Sequence, residues 1–131
     1  MATIFSKIVN GEIPCYKVAE NDNYLAFLDI FPIAAGHVLV IPKVETDYLF
    51  DLDDAELSGI ILFSKQVAAA IKKAIPCKKV GVAVLGLEVA HAHIHLIPLN
   101  SENDINFLKP KLKFSSDEFA DIGARIAKEF A

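Results

Sequence analysis

A chain of 131 residues that is 53% hydrophobic and 23% charged carries enough apolar material for a core and too much to stay disordered. Its net charge of −4 excludes the dense cationic surface that binding to long nucleic acid requires, and its apolar runs are broken before they reach bilayer-spanning length. Its two cysteines, Cys15 and Cys77, have no CxxC spacing, which excludes a disulfide scaffold and reads as two inert, partly buried thiols. In chain order, Phe5–Val9 predicts a short helical turn ending near Asn10-Gly11, after which Pro14 favours extended chain. Tyr16–Glu20 and Tyr24–Ile30 read as strands joined by the turn residues Asn21, Asp22 and Asn23, hence a hairpin. Residues 32–36 form a loop, and His37–Ile41 is a third strand stopped by Pro42.

The apolar residues Leu57, Ile60, Ile61, Val67, Ala68 and Ile71 recur at helical spacing and predict one long helix from about Asp54 to Ile75. Asp53 or Asp51 can cap its start, Lys72 and Lys73 suit its negative end, and Pro76 stops it. Val80–Leu85 and Val89–Leu99 read as strands four and five, the latter ending near Pro98. Residues 100–114 are polar and irregular. Ser115 with Glu118 is a capping-box signal, and Phe119, Ile122, Ile126 and Phe130 mark one face of a C-terminal helix. The order predicts a single α+β domain over residues 1–131. It is a mainly antiparallel sheet of about five strands, with one long central helix and a C-terminal helix packed on one face. The N-terminus lacks a basic stretch ahead of a long apolar run, so the expectation is a cytoplasmic protein with no membrane contact.

Three of the four histidines fall within five residues, at His91, His93 and His95. In a strand, residues i, i+2 and i+4 share a face about 7 Å apart, so this spacing presents an imidazole row while Ala92, Ile94 and Leu96 anchor the core. Imidazole is neutral, and so nucleophilic, near pH 7; it can attack phosphorus, with neighbouring imidazoles binding phosphate oxygens or moving a proton. The same row could instead ligate zinc, with Glu88 as an added ligand, or be structural.

The segment His91-Ala92-His93-Ile94-His95-Leu96-Ile97 resembles the signature of the histidine-triad (HIT) superfamily, His-φ-His-φ-His-φ-φ with φ apolar. The likeness extends in order over roughly residues 3–99, through Ile4–Pro14, Leu25–Ile30 and Gly36–Lys43, and is nearest the Hint-like branch of small bacterial-type members. Residues 100–131 are then a variable segment and the C-terminal helix. The resemblance implies that His93 attacks the α-phosphorus of a nucleotide, that His95 supports the phosphate oxygens, and that His91 and His37 buttress the nucleophile and relay protons. It implies that Asp29 binds the ribose hydroxyls, and that Phe5, Phe27 and Ile30, with Ile4 and Ile8, wall the base. Gly86 is the glycine whose backbone can approach phosphate, and Glu88 stands where Hint proteins have a serine.

A third histidine in place of glutamine implies hydrolysis rather than nucleotidyl transfer. The expected activity is cleavage at the α-phosphate of a purine nucleoside phosphoramidate, acyl-nucleotide or dinucleoside polyphosphate, with no cofactor and no metal. The resemblance further implies a homodimer, with the long helix as a candidate interface. A nucleotide-binding regulatory module with little catalysis, and a zinc-binding module, are the competing readings. Residues 100–114 are expected either to border the site and tune the leaving group or to form a solvated connector carrying Lys109, Lys111 and Lys113.

Overall fold

Helix α1 (Ile4–Val9) begins where the Thr3 hydroxyl accepts the Ser6 N–H at 3.1 Å. The computed structural model describes residues 2–130; Met1 and Ala131, the ends of the expected domain, lie outside the described residues. Strands β1 (Lys17–Glu20) and β2 (Tyr24–Leu28) form the expected hairpin, because Asn21 Oδ1 accepts the N–H groups of Asn23 and Tyr24 at 2.9 and 2.8 Å. Strand β2 stops two residues short of Ile30: Asp29 Oδ1 accepts the Phe31 N–H at 2.8 Å and turns the chain. Strand β3 (Val38–Pro42) pairs with β2 over its full length. Helix α2 (Asp54–Ala74) is capped by Asp53, whose carboxylate accepts the Glu56 N–H at 2.8 Å, and it closes ahead of Pro76.

Strands β4 (Lys79–Ala83) and β5 (Ile94–Leu99) complete an antiparallel sheet of order β1-β2-β3-β5-β4. Helix α3 (Ser116–Glu129) carries the expected capping box, in which Ser115 and Glu118 satisfy each other's backbone N–H. Among the described residues, no helix is long and apolar enough to cross a membrane.

The sheet is covered on both faces, where one covered face was expected. Ala26, Leu28, Val38, Val40, Ile94 and Leu96 point into a core shared with Ile60, Phe63, Val67 and Ile71 of α2 and Phe119, Ile122 and Ile126 of α3. The alternate residues Leu25, Phe27, Leu39 and Ile41 form a second cluster with Phe5 of α1. Every residue of β2 and β3 is buried for that reason. The other departures lie around β5. It begins at Ile94 rather than Val89, and β4 ends at Ala83 rather than Leu85, so residues 84–93 form a long loop. Upstream of Ile94 the backbone leaves the ladder, and the Ala92 N–H donates instead to Thr46 O at 2.6 Å. Pro98 sits inside β5 and does not end it. Pairing with β3 stops at Leu96, so a missing N–H costs no ladder bond on that side. Residues 100–114 also hold one ordered turn of 3-10 helix, Glu102–Ile105, boxed by Ser101 and Asp104.

Gly59 on α2 is a packing requirement. A Cβ there would stand 2.2 Å from the Tyr24 hydroxyl, which donates to Glu56 O at 3.0 Å. Gly59→Ala should therefore destabilise by about 1–3 kcal/mol in denaturant unfolding, with partial recovery in the Tyr24→Phe background. Equal loss in both backgrounds would contradict the clash.

Candidate active site

The two covered faces leave a cavity of about 430 Å³ beside α1, between the ends of β2 and β5 and the loop after β4. Small-molecule sites run roughly 300–1,000 Å³. His93, His95, His37 and Asp29 line it, as do Ile4, Phe5, Ile8, Phe27, Ile30, Gly86 and Glu88. His91 does not. It is fully buried, because the row is not one strand face: only His95 lies in β5, while His91 and His93 precede it. The triad is thus two histidines on the cavity and one behind them.

Partner chemistry assigns each ring proton. A carbonyl only accepts, so His93 Nδ1 carries a proton and donates to His91 O at 2.7 Å. The lone pair is left on Nε2. Ser64 Oγ is the only fully buried side-chain polar atom without a partner among the described residues, so His93 Nε2 is open to the cavity. The His91–Ala92 peptide that supplies this carbonyl is held from its other end by the Ala92–Thr46 bond, and a planar peptide fixes both groups together. His91 itself donates from Nε2 to Pro42 O at 2.8 Å, and its Nδ1 lies 3.0 Å from Thr3 Oγ1. Burial lowers its pKa.

His37 Nδ1 accepts the Ile33 N–H at 3.2 Å, so the proton of the neutral ring is on Nε2. That proton is donated to His95 Nδ1 at 2.9 Å, which in turn puts the His95 proton on Nε2. The chain Ile33, His37, His95 therefore ends in an N–H donor on the cavity. Desolvation pulls both rings down to about 4, so at neutral pH the pair is uncharged. Asp29 Oδ2 is 3.5 Å from His37 Nε2, and these two with His95 are the group among the described residues that could hold a metal ion. The His95 Nδ1 lone pair, however, is aimed at the His37 proton, so two of the three ligand atoms are engaged with each other.

Phe5 packs edge-on to His93 and Phe27, with centroids 5.1 and 5.7 Å apart. Gly86 holds φ +69°, a backbone state that disfavours side chains, where the loop lines the cavity. Glu88 is exposed on that loop and orients no histidine; every described ring-nitrogen partner lies elsewhere. Asp29 caps a turn with one oxygen and lines the cavity.

Several neighbours were not foreseen. Thr3, Pro42, Thr46 and Ile33 act through backbone or hydroxyl groups that no motif marks, although Thr before a helical turn is a cap signal. From the variable segment, Phe107 stands edge-on to His95 at 4.9 Å, and Lys111 lines the cavity while donating to Phe107 O at 2.7 Å. That segment borders the site, anchored by Leu112 N–H to Pro32 O at 2.8 Å. Cys15 also lines the cavity as a free thiol, and burial pushes its pKa up.

A five-stranded antiparallel sheet with a histidine-lined cleft beside it defines a small α+β protein of the histidine-triad type. The HIT domain model matches residues 10–102, and the chain belongs to that family. It is 36% identical over 135 residues to an adenosine 5'-monophosphoramidase of Schizosaccharomyces pombe, with 98% of each chain covered. It is 35% identical over 132 residues to an uncharacterised HIT-like protein of Borreliella burgdorferi, covering 95% of each. Among solved structures it resembles a HIT-like protein from Bartonella henselae, with a TM-score of 0.83, 30% identity, and 97% and 95% of the two chains covered. At the level of the family, these likenesses support a nucleotide hydrolase.

The neutral dyad has a consequence for stability. His37 and His95 bind protons less readily folded than unfolded, so their contribution is fully present above the ordinary histidine value of 6.5. It is lost as pH falls from 6.5 through about 4. The melting temperature should drop over that window, and the drop should shrink in His37→Gln. A wild-type melting temperature flat between pH 6.5 and 4 would contradict a buried neutral pair.

Proposed function

We propose that the protein hydrolyses the bond between the α-phosphate of a purine nucleoside monophosphate and a leaving amine, acyl group or phosphate. The observation that carries this reading is the fixed tautomer of His93, whose lone pair on Nε2 opens on the cavity. His93 Nε2 attacks the α-phosphorus, the bond to the leaving group breaks, and the leaving group takes a proton from solvent, which the later attack of water on phosphorus returns. Water then cleaves the phosphorus–nitrogen bond, releasing the nucleoside monophosphate and restoring the ring. The His95 Nε2–H donates to a non-bridging oxygen as charge develops. His91, away from the cavity, buttresses and does not carry protons to the substrate. Asp29 accepts from ribose hydroxyls with the oxygen its turn leaves free, and Phe5, Phe27, Ile4, Ile8 and Ile30 enclose the base. The backbone at Gly86 approaches the phosphate, and Glu88 faces the leaving-group side.

Adenosine 5'-phosphoramidate is the first substrate to try, since the S. pombe relative bears the name of that activity. Amine release should be followed directly, with mass spectrometry of acid-quenched protein for the nucleotidyl adduct. His93→Ala should lose roughly three orders of magnitude or more in kcat and form no adduct. Full activity in that variant would overturn the assignment. Tight nucleotide binding without turnover across several leaving groups would favour the regulatory reading instead.

We also propose a homodimer. Strand β4 is a sheet edge, and Val82 on it and Leu62 on α2 are about 60% exposed. Sedimentation should give twice the chain mass, falling toward the monomer in Val82→Lys. A monomeric wild type would refute the dimer.

A further inference from the structure

Beneath α1, away from the cavity, lies a polar cluster whose side chains do not touch substrate in the reaction above. It consists of Thr3, Ser6, Glu45 and His91. Glu45 Oε1 accepts the Thr3 N–H at 3.0 Å and the Ser6 hydroxyl at 2.5 Å. A carboxylate only accepts, so the single proton of Ser6 Oγ is spent on Glu45. His91 Nε2 is spent as a donor to Pro42 O. The neutral ring must then accept at Nδ1, where two hydroxyls approach: Thr3 Oγ1 at 3.0 Å and Ser6 Oγ at 3.4 Å. Ser6 has no proton left, so the donor is Thr3, whose one proton goes to the nearer acceptor, His91 Nδ1 at 3.0 Å, rather than to Ser6 Oγ at 3.3 Å. The same Thr3 oxygen also accepts the Ser6 N–H that starts α1.

We propose that Thr3 is a positioning residue for His93. Its hydroxyl holds His91 neutral in the Nε2–H tautomer and so fixes the carbonyl that orients the nucleophile. The inference rests on the reading of His93 as nucleophile. Its route is short. The His91 ring is tied at both nitrogens, and its own carbonyl receives His93 Nδ1–H. The charged and titratable groups that act on His91 are Glu45, which favours its protonation, and His93, which opposes it. Thr3 and Ser6 stand between the Glu45 carboxylate and the ring and offer it hydroxyls rather than an ion pair. Ser6 and Thr3 hold that carboxylate below its ordinary pKa range, so it stays ionised and continues to accept.

Capping and donating can be separated. Thr3→Ser keeps both roles. Thr3→Asp keeps an acceptor for the Ser6 N–H but has no proton to give His91 near neutral pH. Nitrogen-15 NMR of the histidine rings should show His91 neutral and protonated on Nε2 at pH 7 in the wild type and in Thr3→Ser. In Thr3→Asp it should show protonation at both ring nitrogens. Turnover of adenosine 5'-phosphoramidate should fall about tenfold in kcat in Thr3→Asp with KM within about twofold, and Thr3→Ser should restore it. A His91 tautomer indifferent to Thr3→Asp overturns the inference, as does an unchanged kcat in that variant. A wild type that turns over no substrate while its His91 keeps the stated tautomer counts against the proposed reaction and not against the Thr3–His91 bond.

Discussion

The hydrogen bond from His93 Nδ1 to the carbonyl of His91 is the interaction on which the site depends. An imidazole has two nearly equivalent tautomers, and only the one with its proton on Nδ1 leaves a lone pair on the nitrogen that reaches the cavity. The protein selects it with a backbone carbonyl, which cannot change its role as a side chain can. That carbonyl is held in turn. The N–H of the same peptide is bound to Thr46, and the ring of the same residue is bound between Thr3 and Pro42. The five residues from Pro42, the last of β3, to Thr46 therefore do much of the positioning, although none of them lines the cavity.

The sheet also explains why the site can be apolar and polar at once. Because α1 closes the second face, Phe5 and Phe27 share a cluster with Leu39 and Ile41 while also bounding the cavity. The walls are extensions of the core and have little freedom to rearrange. The histidine pair at the cavity's other end follows the same logic. Burial costs a charged ring far more than a neutral one, so His37 and His95 stay neutral and act as a fixed chain of N–H donors. Phe107 packs against both rings and extends that desolvation with a residue from the variable segment.

Much of this was written locally. The caps at Asp53 and Ser115, the Asn21 turn and the long apolar period of α2 are short-range signals, and each appears where the residues predict it. Strand ends were less legible. Strand β2 stops where Asp29 accepts the Phe31 N–H, and β5 starts only past Ala92, whose N–H has turned to Thr46 O. Pairing partners come from distant sequence, so pattern alone places such ends poorly.

The sequence by itself determined the family, the α+β class and the identity of the four histidines, because a five-residue spacing and an ordered series of apolar blocks survive as one-dimensional patterns. The tertiary structure alone decided where each histidine stands and what its ring nitrogens meet. It set His91 behind the site, joined His37 to His95 across 58 residues, and brought Phe107 and Lys111 to the cavity. The physical reason is that a ring's proton, charge and exposure are set by whichever donor or acceptor stands beside it. For His91 those neighbours are Thr3 and Pro42, 88 and 49 residues away along the chain.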